Sequence, residues 1–257
     1  MGVAGSNPAT PTITLAENQA RRATGSATSS WRFENMPDIP DSAQRAYKCT
    51  VSIEVAVTDH LPDFFQGTEM PTAGWWEALW PDPAGVLTAV GLCSGMDVID
   101  LCSGDGWFTL QIAKVARQVS AIDIDQTLLD VAKHRLVESG VTNCEFIAGN
   151  AYGIATLAGP ADFVFMANAF HGVPDGARLA KAVGAALKPN GRFAIVNWHK
   201  RPRDETPILG EPRGPKTELR MSPEQTVKSV EAGGLKLSKV VEIPPYHYGA
   251  VFKGSGE

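Results

Sequence analysis

A strand, a turn of small residues and a helix follow one another directly near the middle of this chain. Met96–Leu101 has the apolar run of a buried strand, and residues 102–106 read Cys-Ser-Gly-Asp-Gly. The helical pattern of Trp107–Ala113 comes next. In an open α/β sheet, ligands bind at such turns, beyond the carboxyl ends of the strands. Gly104 and Gly106 carry no side chain that would keep a ligand off the backbone, and both can adopt a positive φ.

Two acidic residues make this turn more specific. Asp100 stands just before it, where a carboxylate can hold loop amides or a cationic group of a ligand. Val119–Asp123 is a second apolar strand whose terminal acid is about 20 residues beyond the turn, a position suited to ribose hydroxyls. We therefore predict a nucleoside-cofactor site. A dinucleotide-binding dehydrogenase would place a third glycine near position 109, where this chain has Thr109.

The pattern resembles the class I S-adenosylmethionine-dependent methyltransferases, and more closely their small-molecule branch. Later family motifs match Phe146–Ala151, with Asn150 in place of an aspartate, the strand and His-containing turn of residues 161–173, and Leu-Lys-Pro-Asn-Gly at residues 187–191. These motifs follow the family order over residues 85–200. Cys102 departs from the family, because it replaces the first glycine of the turn. It is either a tolerated small residue or a thiol that senses oxidation or binds a soft substrate, and the second interpretation requires an exposed cysteine of low pKa.

The resemblance implies an α/β fold, with a Rossmann-like, seven-stranded, mostly parallel sheet, helices on both faces and an antiparallel last strand. Residues 85–257 would form the cofactor-binding domain, and residues 36–84 a helical and aromatic cap over the active site. Residues 1–35 contain few large apolar side chains, so we expect a disordered leader. Residues 5–11 resemble a translated end of a transfer-RNA gene, which leads to the hypothesis that translation starts at Met36.

Two segments of the predicted cap leave alternatives open. Residues 50–57 are β-branched and fit either a strand or a helix, and we favour a helix because family members carry N-terminal helices there. Trp75, Trp76 and Trp80 fall within six positions. They either pack as a hydrophobic cover on the sheet or form an aromatic lid that attracts a cation to its ring faces, and both roles can hold together.

The resemblance also implies site residues. Cofactor binding falls to Asp100, Cys102, Ser103, Gly104, Gly106, Asp123, Ile124, Asn150, Ala151 and Asn168. The predicted substrate contacts are Trp75, Trp76, Trp80, Arg220, Tyr246 and Tyr248. His171 is the first candidate for a general base, because it follows the fourth strand and imidazole titrates near neutral pH; it could equally cap the turn or pack beside the adenine. His247 is the second candidate and His199 the third.

Composition excludes several other classes of protein. The formal net charge of −5 disfavours nucleic-acid binding, which requires a basic surface. No apolar stretch reaches the roughly 18 residues of a membrane helix, and no secretory signal is visible. The four cysteines lack metal-ligand spacing, so no metal site is predicted. We expect a cytoplasmic protein with a small-molecule partner; the oligomeric state stays open.

The expected activity is methyl transfer from S-adenosylmethionine to a small-molecule acceptor by direct displacement. Two alternatives remain open. A regulatory protein could keep the cofactor site and transfer nothing, which the departures at Cys102 and Asn150 would suit. A macromolecule-modifying methyltransferase is the other, although the Asn-Pro-Pro-Tyr type of motif is absent from residues 166–171. The sequence does not identify the accepting atom.

Overall fold

The computed structural model describes residues 71–254. The predicted leader, residues 50–57 and most of the predicted cap lie outside the described residues. The helices are α1 (Ala73–Leu79), α2 (Pro83–Val90), α3 (Trp107–Ala113), α4 (Gln126–Glu138), α5 (Ile154–Leu157), α6 (Gly176–Ala186) and α7 (Pro223–Glu231). The strands are β1 (Asp97–Leu101), β2 (Gln118–Asp123), β3 (Cys144–Ala148), β4 (Ala161–Ala167), β5 (Leu187–Trp198), β6 (Pro207–Ile208), β7 (Glu211–Pro212), β8 (Leu235–Ile243) and β9 (His247–Gly254).

Seven of the strands that the structure describes form one sheet in the order β3-β2-β1-β4-β5-β9-β8. Strands β1 to β5 pair in parallel, and β9 is antiparallel to both of its neighbours. The central strands are buried along most of their length, as expected for strands covered on both faces. This arrangement confirms the predicted fold class, including the antiparallel last strand. The carboxyl ends of β1 to β5 lie at one edge of the sheet.

Local sequence signals explain where the helices begin. The Asp125 side chain accepts a hydrogen bond from the Thr127 amide at the start of α4. Ser222 and Gln225 form a reciprocal capping box at α7, with Pro223 in its first turn. Helix α4 buries Leu129, Ala132 and Leu136, as its apolar periodicity predicts. Val131, by contrast, is 46% exposed.

Two hydrophobic clusters cover opposite faces of the sheet and meet at its central strands. One contains Trp75, Trp76 and Trp80 of the α1 region, together with Trp198 at the end of β5. The other is built on α6 and α7 and includes Tyr248. The predicted aromatic segment is therefore a buried part of the first cluster. No helix among residues 71–254 is long and apolar enough to cross a membrane.

Candidate functional site

The turn after β1 depends on residues that tolerate a left-handed backbone. Gly104 has φ +56° and Gly106 has φ +78°, as the sequence predicts. A Cβ atom on Gly106 would lie 2.7 Å from the Cβ of Ala132, so this glycine allows close packing of α3 against α4. Cys102 also has a positive φ, +60°. A glycine suits that conformation better, because an L side chain there costs about 1–2 kcal/mol.

The carboxylate of Asp123 holds this turn in place. Its Oδ2 accepts a hydrogen bond from the Gly104 amide at 2.8 Å, and its Oδ1 accepts one from the Asp125 amide at 2.9 Å. Burial raises the pKa of Asp123, and the two amides oppose that rise. Each carboxylate oxygen has a second lone pair, so Asp123 can still accept hydrogen bonds from a ligand.

A concave pocket opens beside this carboxylate, at the carboxyl ends of β1, β2 and β3. It is lined by Leu101, Cys102, Ile122, Asp123, Ile124, Gly149, Asn150 and Ala151. Five of the predicted cofactor-binding residues therefore come together there. Ile124 is 58% exposed, which leaves an apolar side chain next to a carboxylate. We call this region, comprising residues 100–106, 123–124 and 149–151, the β1–β3 edge.

Buried polar atoms complete the β1–β3 edge. Asp100 is buried, and its Oδ2 accepts a hydrogen bond from the Thr109 hydroxyl at 2.6 Å. Burial raises the pKa of Asp100 to about 7, and the nearby carboxylates of Asp123 and Asp105 add to the rise. The Asn150 side chain accepts a hydrogen bond from the Tyr152 amide. The Ser103 hydroxyl is buried and has no hydrogen-bond partner among the residues that the structure describes.

The thiol of Cys102 lacks the properties of a reactive cysteine. Burial raises its pKa well above the usual value, and the carboxylates of Asp123 and Asp100 raise it further. The neutral thiol is therefore favoured at physiological pH, and a thiol is a far weaker nucleophile than a thiolate. This geometry favours the interpretation of Cys102 as a tolerated small residue.

Aromatic side chains surround His247 at the neighbouring part of the sheet. The His247 ring lies 4.4 Å from the Trp80 ring and 4.2 Å from the Trp198 ring, measured between centroids. Tyr246 stacks on the other side of this group, 6.0 Å from Trp198. Burial lowers the pKa of His247 well below its usual value. We call this region, comprising residues 75–80, 168–171, 197–199 and 246–248, the β4–β9 edge.

Each of the two leading histidines is hydrogen-bonded to an asparagine. His171 Nδ1 lies 3.2 Å from Asn197 Oδ1, and His247 Nε2 lies 3.0 Å from Asn168 Oδ1. Burial lowers the pKa of His171 below its usual value, and the bond to Asn197 opposes that shift. Both imidazoles are therefore predominantly neutral at physiological pH. Asn168 was predicted to bind the cofactor, and in the structure its side-chain oxygen bonds to His247.

Hydrogen-bonding capacity remains unused at the β4–β9 edge. Within residues 71–254, the buried side-chain atoms there that have no hydrogen-bond partner are Trp75 Nε1, Trp76 Nε1, Trp80 Nε1, Asn168 Nδ2, His171 Nε2, Asn197 Nδ2 and His247 Nδ1. Folded proteins leave few such atoms without partners, and a group of them needs an explanation. A ligand that carries both donors and acceptors would provide partners for them.

Arg220 and His199 are both hydrogen-bonded to other parts of the protein. The Arg220 guanidinium is buried and donates to the carbonyl oxygens of Pro215, Arg201 and Arg213 and to the Thr206 hydroxyl. It therefore organises the loop of residues 199–220, and contact of Arg220 with an anionic substrate stays a prediction. His199 Nε2 lies 2.9 Å from Glu242 Oε2, and this pairing weakens its candidacy as a base.

Tyr246 and Tyr248 do not share one surface. Tyr246 precedes β9, stacks on Trp198 and donates its hydroxyl to the Pro207 carbonyl oxygen. Tyr248 is buried in the opposite cluster, where its hydroxyl is 2.6 Å from that of Thr226. Burial raises the pKa of Tyr248 to about 12. Of the two tyrosines, Tyr246 lies with the aromatic group around His247, and contact of either tyrosine with the substrate stays a prediction.

Sequence reasoning missed Asn197 and the role of Thr109. Asn197 is the polar residue in the apolar run at the carboxyl end of β5 and is fully buried. That position was a usable signal, because a buried amide needs partners and the carboxyl ends of these strands carry the site. Thr109 was considered only as a missing glycine, whereas its hydroxyl is the side-chain partner of Asp100.

Comparison with known proteins shows which family this chain resembles. Residues 98–191 match the family model described as a methyltransferase domain. The chain is 26% identical to a solved S-adenosylmethionine-dependent methyltransferase from Aquifex aeolicus, with a TM-score of 0.61 over 71% of this chain and 93% of that one. Over the part of the chain that these comparisons cover, the protein is similar to class I S-adenosylmethionine-dependent methyltransferases.

Curated proteins that this chain resembles carry the names of quinone methyltransferases. It is 28% identical over 116 residues to the demethylmenaquinone methyltransferase of Lactococcus lactis, covering 44% of this chain and 46% of that protein. It is 29% identical over 137 residues to a ubiquinone biosynthesis O-methyltransferase of Xanthomonas axonopodis, covering 50% and 57%. The chain thus spans about half the length of the curated relatives it matches.

Proposed function

We propose that this protein transfers a methyl group from S-adenosylmethionine to a small-molecule acceptor, with His171 as the general base. The observation that carries the proposal is the placement of two different sites along one edge of one sheet. The β1–β3 edge presents a left-handed turn and a ribose-type carboxylate. The β4–β9 edge presents buried, neutral imidazoles with unused nitrogen atoms.

The residues at the β1–β3 edge fit the cofactor. Asp123 retains lone pairs for ribose hydroxyls, and the exposed side chain of Ile124 offers an apolar surface for a base. The unpartnered Ser103 hydroxyl and the backbone of residues 102–104 suit the polar end of the cofactor. When bound, S-adenosylmethionine supplies an activated methyl group on a positively charged sulfur. Asp100 can provide a negative charge close to that site once it is ionised.

His171 supplies the proton-accepting group. Its Nε2 is buried and has no hydrogen-bond partner among the described residues. A neutral imidazole in this position can take the proton of the accepting hydroxyl, amine or carbon acid as the new bond to the methyl group forms. The tryptophan rings around His247 would exclude water from that part of the β4–β9 edge. His247 is the second candidate for this role.

The predicted partners follow from the same geometry and from the charge of the chain. The acceptor is a small molecule, and the printed names of the relatives point to quinone precursors as the first compounds to test. The net charge of −5 argues against a nucleic-acid substrate. We propose that the protein acts in the cytoplasm.

Isotope transfer tests the proposal directly. The purified protein is incubated with methyl-labelled S-adenosylmethionine and a panel of phenolic, amine and quinol acceptors, with the Gly104→Val variant as an inactive control. We expect label in at least one small-molecule product. Cofactor binding by calorimetry without transfer to any acceptor would favour a regulatory protein, and transfer only to protein or RNA would favour a macromolecule-modifying enzyme.

A further inference from the structure

The orientation of the Asn197 side-chain amide is fixed by the backbone. Asn197 Oδ1 accepts a hydrogen bond from the Trp198 amide at 3.1 Å and lies 3.2 Å from His171 Nδ1. If the amide were rotated by 180°, its NH₂ group would face the Trp198 N–H, and two donors would meet. The oxygen therefore faces the imidazole, and an oxygen can only accept.

We propose that Asn197 is a positioning residue that fixes the tautomer of His171, holding the proton on Nδ1 and leaving Nε2 as the basic nitrogen. The amide oxygen requires a donor from the imidazole, so Nδ1 must carry the hydrogen. In a neutral imidazole the other nitrogen then has a free lone pair. This is the nitrogen that is buried without a partner. The inference deepens the proposed function and rests on it only for its consequence in catalysis.

Burial makes this selection effective. Asn197 is fully buried and His171 nearly so, so bulk water does not compete for the Nδ1 hydrogen. Arg220 is the charged group that acts on His171, whereas Arg220, His199 and His171 act on His247. Arg220 disfavours a positive charge on His171, which helps to keep the ring neutral. A neutral ring with one fixed tautomer presents a single basic nitrogen.

The second histidine–asparagine pair provides an internal control. Asn168 Oδ1 lies 3.0 Å from His247 Nε2, so with the amide in this orientation the His247 hydrogen lies on Nε2. Substituting Asn168 should affect His247 and leave His171 unchanged. Asp is the suitable replacement, because residue 168 has φ +55° and aspartate tolerates this conformation.

The tautomer can be read by ¹⁵N NMR of the histidine side chains, with no acceptor or cofactor present. We expect His171 to carry its hydrogen on Nδ1 in the wild-type protein. In Asn197→Leu this preference should be lost. In Asn197→Asp it should persist, while the His171 pKa rises by about 1–3 units, because a carboxylate would then face the ring. Asn168→Asp should leave the His171 signals at their wild-type positions.

Two results would overturn the proposal. One is a wild-type His171 protonated on Nε2. The other is an Asn197→Leu variant that is folded, as shown by its circular dichroism and the unchanged His247 signals, and keeps the hydrogen on Nδ1. Should Asn197→Leu fail to fold, the wild-type tautomer and the Asn197→Asp titration decide alone. Neither readout depends on turnover, so failure of the proposed activity would be recognised separately.

The catalytic consequence is measured once an acceptor is known. Asn197→Leu should lower kcat by about 10- to 100-fold with little change in the acceptor KM, because the base is present but in the wrong tautomer for part of the time. In Asn197→Asp the acid limb of the pH–rate profile should move to higher pH. A purely structural role for Asn197 would not move that limb.

Discussion

The β1–β3 edge and the β4–β9 edge lie along the same side of one sheet but satisfy their polar groups differently. At the β1–β3 edge, the carboxylates of Asp123 and Asp100 and the side chain of Asn150 have partners within the turn and its adjoining helices. At the β4–β9 edge, His171 and His247 each have one bonded nitrogen and one that has no partner within residues 71–254. The first region is a backbone scaffold, and the second retains unused hydrogen-bonding capacity.

This difference separates the two tasks of a group-transfer enzyme. A cofactor that is the same in every turnover is suited by a turn held rigid by its own hydrogen bonds. An acceptor must be oriented and deprotonated, which requires side chains whose polar atoms remain available to it. Changes at the β1–β3 edge should therefore affect cofactor affinity, whereas changes at the β4–β9 edge should affect turnover.

The largest effect is expected from Gly104→Val. Gly104 has φ +56°, and a β-branched residue is strongly disfavoured there while its side chain also blocks the turn. We expect the affinity for S-adenosylmethionine to fall by about 10²-fold or more in a folded protein, measured by calorimetry. Gly95→Val is the matched control. Gly95 also has a positive φ, lies before β1 at the opposite edge of the sheet, and has open space around its Cβ position.

Both glycine variants should lose thermal stability, because both force an L side chain into the left-handed region. Only Gly104→Val should lose cofactor binding. Normal cofactor binding by a folded Gly104→Val protein would show that the turn is not part of the cofactor site. The proposed division of tasks between the two edges would then be wrong.

The second largest effect is expected at the other edge. His171→Ala should lower kcat by about 10²- to 10⁴-fold, the usual range for loss of a general base, with nearly unchanged cofactor affinity. The effect should be smaller for acceptors that are already ionised at the assay pH. His134→Ala, on the exposed side of α4, is the control and should retain full activity. Full activity of His171→Ala toward a weakly acidic acceptor would transfer the role to His247.

The sequence predicted the β1–β3 edge better than the β4–β9 edge, because the β1–β3 edge is formed by residues that are close together in the chain. The β1–β3 edge depends on short segments in which turn chemistry and strand endings are readable, so Gly104, Asp123 and Asn150 were found where the structure has them. The predicted order of strands and helices was also confirmed, since each motif marks one strand end. Cys102 was found as a departure, and its left-handed φ explains why a glycine suits that position better.

The β4–β9 edge could be predicted only in part. Its contacts join segments that are far apart in the chain, such as Trp80 with His247 and His171 with Asn197. These contacts depend on strand register and on the return of β9 beside β5, which no local pattern contains. The histidines were identified as candidate bases, but Asn197 was not named and Asn168 was named only as a cofactor contact. The buried loop contacts of Arg220 could not be foreseen either.

A smaller effect is expected from Asp123→Ala. This change removes the carboxylate that ties the Gly104 amide and that is placed to meet the ribose, so cofactor binding should weaken by about 1.5–3 kcal/mol. Asp125→Ala removes only the cap of α4, and should cost about 1 kcal/mol of stability while leaving the affinity intact. If calorimetry shows the affinity loss in Asp125→Ala instead, the ribose contact belongs to Asp125.

The smallest change is expected in the pH dependence of stability. Burial raises the pKa of Asp100 from 3.8 to about 7, so the folded state binds more protons at this group than the unfolded chain does. The contribution of Asp100 to the unfolding free energy therefore falls as the pH rises from 5 to 8, by about 1–3 kcal/mol. Asp100→Asn keeps the shape of the side chain and removes this dependence, which denaturant unfolding at several pH values would measure.

Two further variants sharpen the measurement at Asp100. The raised pKa values of Asp105 and Asp123 act in the same direction, so the relevant quantity is the difference between wild type and Asp100→Asn at each pH. Asp130→Asn, on the exposed surface of α4, should show a difference that stays constant with pH. Thr109→Val removes the hydroxyl that stabilises the charged form of Asp100. The fall in the unfolding free energy should therefore extend to higher pH in this variant. A constant difference for Asp100→Asn would mean that Asp100 is ionised throughout this range, and that the β1–β3 edge carries a permanent negative charge beneath the cofactor.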